Sequence, residues 1–335
     1  MPATVDPHWH YHGVRAVMLE NRQLRVVVLP ETGGRIYSLV HKPSDTEFLW
    51  HNPRVNPRLV PFGTSFDDNL VGGWDDLLPT VDACTYKGEA VPDHGELWGL
   101  PWDWKITPTK DGSVSLYTSV TAPITPVKLE RWLTVADDQP ELHVRYRLTN
   151  LAPQPVDLLW GIHPLFVISP VHRLDLPPSR MLVELASSEQ VGQVGQFYEW
   201  PHLPTTVGSV DMRQIPPSGV NASAGHYAIE SSAGWLALTD QASQVGIALV
   251  YPAEVFKSLW LWMSFGGWRN HYHLAVEPWT GSPVNLAQAA AAGRQTILTA
   301  HQSIDYEVTV FAYTGLTHVT RVERDGQHFT ATAHS

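Results

Sequence analysis

Apolar and polar residues alternate with a period of two along much of the chain. Clear examples are the runs at 14–19, 24–29, 114–120, 128–135 and 142–148, which are separated by stretches rich in Gly, Pro, Asn and Asp. Alternation of this kind puts apolar side chains on one face of a β-strand, and the intervening stretches are typical of turns. The pattern therefore predicts an all-β protein built from large antiparallel sheets.

One alternating stretch also carries candidate chemistry, the segment SFGGWRNHYHLAVEPWTG at 264–281. On a strand, His271, His273 and Glu277 share one face, and apolar residues occupy the other. Pro278 lacks a backbone donor and restricts the residue before it, so we expect the strand to end at Glu277. A carboxylate at a strand end, beside His and Trp, is typical of a binding site.

Outside the alternating runs, the sequence predicts one short helix and no boundary between domains. One short helix is predicted at 286–292, with Asn285 as its N-cap. No internal repeat and no change of composition marks a linker. We therefore expect residues 1–335 to form a single domain, with a polar tail from about 316.

Composition narrows the possible partners. A net charge of −11 argues against nucleic acid and anionic membranes, because phosphate binding needs basic patches. No apolar run approaches the roughly 18 residues of a membrane span. The single cysteine, Cys84, excludes an intramolecular disulfide, and the N-terminus has no signal-peptide pattern. These observations predict a cytoplasmic protein.

Several residues outside the alternating runs are candidates for a binding cleft. Arg35 follows a Gly pair and either reaches a cleft as a fork-shaped donor or forms a surface ion pair. The segment 52–92 is rich in Pro, Gly and Asp and is predicted to be a long irregular connection. Its candidates are Trp74, Asp75 and Asp76. The alternative is a solvated loop without a function.

A further candidate segment begins at His94. His94 precedes Gly95, where the backbone can approach a ligand closely, and Glu96, Trp98 and Trp102 follow at even spacing. An extended segment would put those three side chains on one face. The 14 Trp residues suit sugar rings, whose C–H faces stack on indole, although a Trp-rich core is an alternative.

His163 lies in an apolar run, where a histidine is more often a satisfied core residue than a catalyst. The next residue, Pro164, favours a functional interpretation, because proline marks the edge or end of a strand. We therefore expect the strand to open at His163.

Four segments, taken in order, resemble the aldose 1-epimerase (galactose mutarotase) superfamily. They are LPETGGRIYSLVHKPSDTEFLW, PDHGELWGLPW, LTNLAPQPVDLLWGIHPLF and HLAVEPWTGSPVNLAQAAAAGR. The resemblance implies a β-supersandwich with a sugar in a cleft across one sheet. It also implies interconversion of the α and β anomers of a monosaccharide, without a metal or an organic cofactor.

The resemblance also implies roles for individual residues. Glu277 matches the general base of the family, His163 matches its general acid, and His94 matches the histidine that contacts the sugar. Members that act on phosphorylated hexoses carry an Arg after the His-Gly segment. Here that region is Leu97-Trp98, which departs from the pattern and argues against a phosphorylated substrate.

Two alternative functions compete with the epimerase. The spacing His271-x-His273-x3-Glu277 fits the metal-binding strand of cupins, which would hold Fe, Mn or Zn. A non-catalytic sugar-binding module would keep the tryptophans and need neither acid nor base. The sequence does not identify the sugar or the oligomeric state, and it does not distinguish an aldose 1-epimerase from another sugar epimerase or lyase of similar fold.

Overall fold

The computed structural model describes residues 2–109, 112–206, 208–326 and 328–333. Regular structure in these residues is almost entirely antiparallel β, which confirms the predicted all-β class. The helical elements are three short 3-10 turns at Lys42–Ser44, Glu189–Val191 and Ser218–Val220, and one α-helix, α1 (Leu286–Ala291). The Asn285 side chain accepts a hydrogen bond from the backbone N–H of Gln288 at 3.2 Å, so the predicted cap is confirmed.

The strands of the first half of the chain are short to medium in length. They are β1 (Thr4–Tyr11), β2 (Val14–Glu20), β3 (Leu24–Leu29), β4 (Arg35–His41), β5 (Thr46–Glu47), β6 (Trp74–Leu77), β7 (Cys84–Tyr86), β8 (Glu89–Val91), β9 (Asp103–Thr107), β10 (Val114–Thr121), β11 (Val127–Val135), β12 (Glu141–Asn150), β13 (Val156–Leu158) and β14 (Gly161–Phe166).

The strands of the second half follow the same pattern. They are β15 (His172–Asp175), β16 (Ser179–Ala186), β17 (Phe197–Glu199), β18 (His202–Thr205), β19 (Gly208–Asp211), β20 (Ala222–Ser231), β21 (Trp235–Asp240), β22 (Val245–Val250), β23 (Ser258–Phe265), β24 (Tyr272–Trp279), β25 (Thr296–Leu298), β26 (Ser303–Thr314), β27 (Arg321–Asp325) and β28 (His328–Thr332).

Backbone contacts divide the chain into two compact units. Unit 1 comprises Met1–Pro164 with Trp279–Val308, and unit 2 comprises Leu165–Pro278 with Thr309–Ser335. The single-domain organisation expected for 1–335 stays a prediction. No helix in the described residues is long and apolar enough to cross a membrane.

Unit 1 contains two antiparallel arrangements. In the first, the strand order is β1-β2-β3-β4-β6-β14, and in the second β9, β10, β11 and β12 are neighbours. Strand β11 shows why the sequence folds this way, since every second residue from Val127 to Val135 is buried. The one charged residue on that buried face is Arg131.

Unit 2 also contains two antiparallel arrangements of strands. The order β24-β23-β20-β16-β17 forms one arrangement, and β15, β21 and β22 form another with the second half of β26. The predicted polar tail folds over its described residues as the hairpin β27–β28. Val322 and Phe329 of that hairpin pack against buried Trp235, Phe311 and Val319. Residues 327 and 334–335 of the tail lie outside the described residues.

Three local expectations were wrong. The predicted irregular connection at 52–92 contains β6, a fully buried strand at Trp74–Leu77, and the hairpin β7–β8. Strand β14 does not open at His163 but continues to Phe166. Strand β24 does not end at Glu277 but continues to Trp279. Proline is tolerated within a strand wherever its nitrogen is not needed in the hydrogen-bond ladder, so Pro164 and Pro278 end neither strand.

Candidate functional site

Three neighbouring strands of unit 1 bring Arg35, Asp75 and His163 to one face. In the pairing of β6 with β14, Asp75 lies opposite His163, and in the pairing of β4 with β6, Ile36 lies opposite Trp74. Paired residues share a face and successive residues alternate, so Arg35 lies on the same face as Asp75. The Arg35 Nη1 donates to Asp75 Oδ2 and to the carbonyl oxygen of Gly72, each at 2.6 Å.

Asp75 lies in an unusual electrostatic environment. Its complete burial raises the pKa of the carboxyl to about 7, against the lowering effect of Arg35, and the charge of Asp76 raises the pKa further. Its Oδ1 atom is buried and accepts no hydrogen bond from the described residues. A carboxyl that titrates near neutrality beside a histidine is typical of a site where protons are exchanged or substrate is bound.

A tight turn presents His94 to the same face. His94 and Gly95 both have positive φ, 57° and 72°. A Cβ at Gly95 would lie 2.1 Å from the carbonyl oxygen of Leu78, so only glycine fits there. The His94 Nδ1 lies 2.9 Å from Asp93 Oδ1, and this carboxylate orients the imidazole.

Phe66 connects the two histidines. Its ring stacks on His94 with centroids 3.7 Å apart and an interplanar angle of 7°, and it meets His163 edge-on at 5.7 Å. The centroids of His94 and His163 are themselves 6.1 Å apart. The candidate site of unit 1 is therefore Arg35, Phe66, Asp75, His94 and His163.

Sequence reasoning missed two members of this environment. Asp93 could have been found, because it directly precedes His94 and a carboxylate beside an imidazole is a common orienting pair. Phe66 gave no signal, since it lies in an irregular segment with no hydrophobic period.

The opposite face of β6 carries a second buried ion pair. Trp74 and Asp76 alternate with Asp75, and both are fully buried. Arg131 Nη1 donates to Asp76 Oδ2 at 2.7 Å, and its guanidinium lies 4.8 Å from the centre of the Trp102 ring. Burial raises the pKa of Asp76 to about 6 against the opposing effect of Arg131. The two adjacent aspartates thus bind two different arginines on two different faces.

The segment around Glu96 does not have the extended conformation that would put Glu96, Trp98 and Trp102 on one face; it is a series of turns. Glu96 is 1% exposed, and its carboxylate accepts hydrogen bonds from the Ile124 N–H at 2.6 Å and from the Thr125 hydroxyl at 2.6 Å. Glu96 thereby fixes the turn before β11. Trp98 is buried and meets Phe66 edge-on at 5.1 Å. Substrate contacts of Trp74, Glu96 and Trp98 stay predictions.

In unit 2, β24 carries the predicted base. Glu277 is 1% exposed, and His273 on the same strand and His271, which directly precedes the strand, are also buried. Burial of His273 lowers its pKa to about 3, and nearby His271 lowers it further. The Trp268 ring lies 5.2 Å from His271 and 6.4 Å from His273. The predicted histidine and carboxylate face is therefore buried and flanked by tryptophan.

The cupin-like spacing at 271–277 does not produce a compact set of ligand atoms. Among the described residues, one group of three brings its donor atoms within 4.8 Å of one another, and it is not the group His271, His273 and Glu277 but Asp67, Asp93 and His94. The structure thus gives no support to the cupin alternative.

Comparisons with known proteins agree on the fold. A family model described as "Domain of unknown function (DUF5107)" matches residues 8–67. A putative aldose 1-epimerase from Klebsiella pneumoniae superposes with a TM-score of 0.72 at 14% identity, covering 92% of this chain and 83% of that one. The Slr1438 protein from Synechocystis gives 0.65 at 19% identity, covering 90% and 96%. A galactose mutarotase-like protein from Clostridium acetobutylicum gives 0.65 at 10% identity, covering 94% and 99%.

Proposed function

The chain has the galactose mutarotase-like fold, and we propose that it is an aldose 1-epimerase-like enzyme that interconverts the α and β anomers of a monosaccharide. The observation that carries the proposal is the convergence of His94, His163 and the Arg35–Asp75 pair in unit 1. Imidazole and carboxyl groups are the usual agents of proton transfer near neutral pH. The fold by itself does not specify the reaction.

The reaction needs two proton transfers. A base removes the proton from the anomeric hydroxyl, the C1–O1 bond becomes a carbonyl, and the bond from C1 to the ring oxygen breaks. An acid delivers a proton to that ring oxygen. Rotation about C1–C2 and reversal of these steps closes the ring on the other face. We assign the base to Glu277 and the acid to His163, and no metal or organic cofactor is required for these steps.

The other residues of the candidate site would bind the sugar. His94 is held by Phe66 and Asp93, so its imidazole can meet a sugar hydroxyl in a fixed orientation. The buried Oδ1 of Asp75 would accept a hydrogen bond from a second hydroxyl. Arg35 is engaged by Asp75 and Gly72. Its Nη1 thus already has partners within the protein, which supports an uncharged sugar over a phosphorylated one.

Polarimetry on freshly dissolved α-D-glucose and α-D-galactose tests the proposal. We expect the protein to accelerate mutarotation, and Glu277→Gln and His163→Ala each to reduce the rate by about 10²–10⁴-fold, the usual contribution of a positioned acid or base. Exposed residues of the same types provide the controls, Glu199→Gln and His202→Ala, which should keep the wild-type rate.

The same measurements separate the alternatives. Wild-type rates in both site variants would refute the assignment of acid and base. Sugar binding without any acceleration by the wild-type protein would instead favour the non-catalytic sugar-binding module. Metal analysis of the purified protein, followed by activity after chelation, tests the cupin alternative independently. We also place the protein in the cytoplasm, because its one cysteine, Cys84, is a free thiol.

A further inference from the structure

A cavity lined by none of the candidate-site residues lies in unit 1, over the first four strands of the chain. It is an open groove of about 610 Å³, within the range of roughly 300–1,000 Å³ that is typical of small-molecule sites. Its floor is apolar and is formed by Ala16, Met18 and Val27. Among the described residues, those that line the groove include no member of the candidate site. The groove therefore requires its own explanation.

Two aromatic side chains stand exposed on one side of this groove. Trp9 is 56% exposed and Tyr11 is 41% exposed, and both belong to the edge strand β1. Both are held in place, because the Trp9 indole N–H donates to Asp6 Oδ2 at 2.9 Å and the Tyr11 ring lies 5.2 Å from that of Tyr37. Fixed aromatic faces in water are platforms that lose little entropy when a ligand stacks on them.

A β-bulge supplies the other side of the groove. Val27 pairs with Ser38 and Val28 pairs with Ile36, so Tyr37 is the extra residue on β4. A bulge of this kind re-aims side chains, and here both Tyr37 and Ser38 line the groove. The imidazole of His51 stacks on the Tyr37 ring at 4.2 Å and 10°, and its Nε2 lies 2.7 Å from the Tyr37 carbonyl oxygen.

The charged groups at the groove form ion pairs within the protein. Glu20 lies 3.0 Å from Lys42 and 3.7 Å from Arg25, measured between the charged atoms. The other polar groups of the lining include the hydroxyls of Tyr11 and Tyr37, the imidazoles of His10 and His51, and the hydroxyl of Ser38, which donates to Glu47 Oε2. Such a lining offers hydrogen-bond donors and acceptors around aromatic faces.

We infer that this groove is a second carbohydrate-binding site, separate from the candidate site, that takes a neutral saccharide of one or two rings. A sugar ring presents C–H faces that stack on aromatic side chains and hydroxyls at its edge that need polar partners. The groove provides both kinds of surface, and its charges are already paired. A charged ligand would have to displace one of these ion pairs.

Fluorine NMR on protein labelled with 5-fluorotryptophan tests the inference at the groove itself. The Trp9 resonance is identified as the one missing from a Trp9→Phe variant. The probes are methyl α-D-glucopyranoside, methyl β-D-galactopyranoside, maltose and cellobiose. The two methyl glycosides are blocked at the anomeric oxygen, so they are not turned over. We expect at least one probe to shift the Trp9 resonance in a saturable way at millimolar concentration.

Matched variants test whether a shift of the Trp9 resonance reports a saccharide bound in the groove. Tyr11→Ala should weaken the affinity about tenfold or more, as expected when an aromatic anchor is truncated, whereas Leu59→Ala, which removes a 64% exposed side chain elsewhere in unit 1, should leave it unchanged. Mutarotation of glucose should be the same in Tyr11→Ala as in the wild type.

Three results would overturn the inference. The Trp9 resonance could stay still across all four probes, or its saccharide-induced shift could be equal in Tyr11→Ala and wild type. The shift could also follow protein concentration together with dimer formation in sedimentation. That last result would make the groove an interface between copies of the chain instead of a saccharide site.

Discussion

Replacing Phe66 with alanine tests the architecture of the candidate site directly. Phe66 is 2% exposed, and its ring contacts three others, His94 at 3.7 Å, Trp98 at 5.1 Å and His163 at 5.7 Å. Burial of a phenylalanine side chain stabilises by about 1.5–3 kcal/mol, and each aromatic contact adds about 0.5–1.5 kcal/mol. For three ring contacts these contributions sum to about 3–7.5 kcal/mol. We expect a loss in the lower part of that range, about 3–5 kcal/mol, because that is the usual cost of a buried Phe→Ala change.

Urea unfolding followed by circular dichroism measures this loss of free energy. Phe62 in the same segment is 45% exposed, so Phe62→Ala is a matched control that should cost less than about 0.5 kcal/mol. Polarimetry under conditions where Phe66→Ala remains folded should show a rate at least tenfold below wild type, because His94 and His163 both lose a supporting ring. Phe66→Leu should recover most of the stability but not the stack on His94.

The reasoning is refuted if Phe66→Ala is no less stable than Phe62→Ala and mutarotates glucose at the wild-type rate. A loss of stability with a normal rate of mutarotation would refute only the predicted effect on catalysis. It would mean that Phe66 supports the loop and that the two histidines keep their positions without it.

The other predictions concern pH. Burial alone would lower the pKa of His143, but its hydrogen bonds to Glu141 and Glu307 raise it to about 9 in the folded protein. Since the folded pKa lies above the ordinary value of 6.5, the stabilisation is complete below about pH 6.5 and is lost as the pH rises through 9. His143→Gln should therefore reduce the free energy of unfolding by about 1–2 kcal/mol at pH 6, and this difference should shrink by pH 10 in urea titrations; a pH-independent difference would contradict the linkage. For Asp75, burial raises the pKa to about 7, and only the ionised carboxylate is a pure acceptor, so kcat/KM for mutarotation should rise as the pH passes through 7. Asp75→Asn should remove that rise, and an unchanged profile in the variant would exclude Asp75 as its source.

How far the sequence predicts the site depends on whether the signal is local. Alternation along β11 predicts a strand with one buried face, which the structure confirms. Asn285 before an apolar-rich stretch predicts the helix cap, which the structure confirms. The motifs around His94, His163 and Glu277 indicate the fold, which the comparisons bear out.

The partner of a buried charged side chain could not be predicted from the sequence. Asp75 and Asp76 are neighbours of identical type, yet Asp75 binds Arg35 and Asp76 binds Arg131 on the opposite face of β6. No local pattern distinguishes them, because β6 is buried on both faces and shows no hydrophobic alternation.

By itself, the sequence determined that this protein is made of antiparallel strands, where its helix begins, and which residues carry candidate chemistry. These properties follow from side-chain period, backbone capping and residue type, all of which act within a few positions of the chain. Only the tertiary structure decided that Asp75 lies opposite His163, that Phe66 stacks on His94, and that Trp9 and Tyr37 border one groove. Those relations depend on strand register and on packing between segments far apart in sequence, and both are settled only when the whole core is buried.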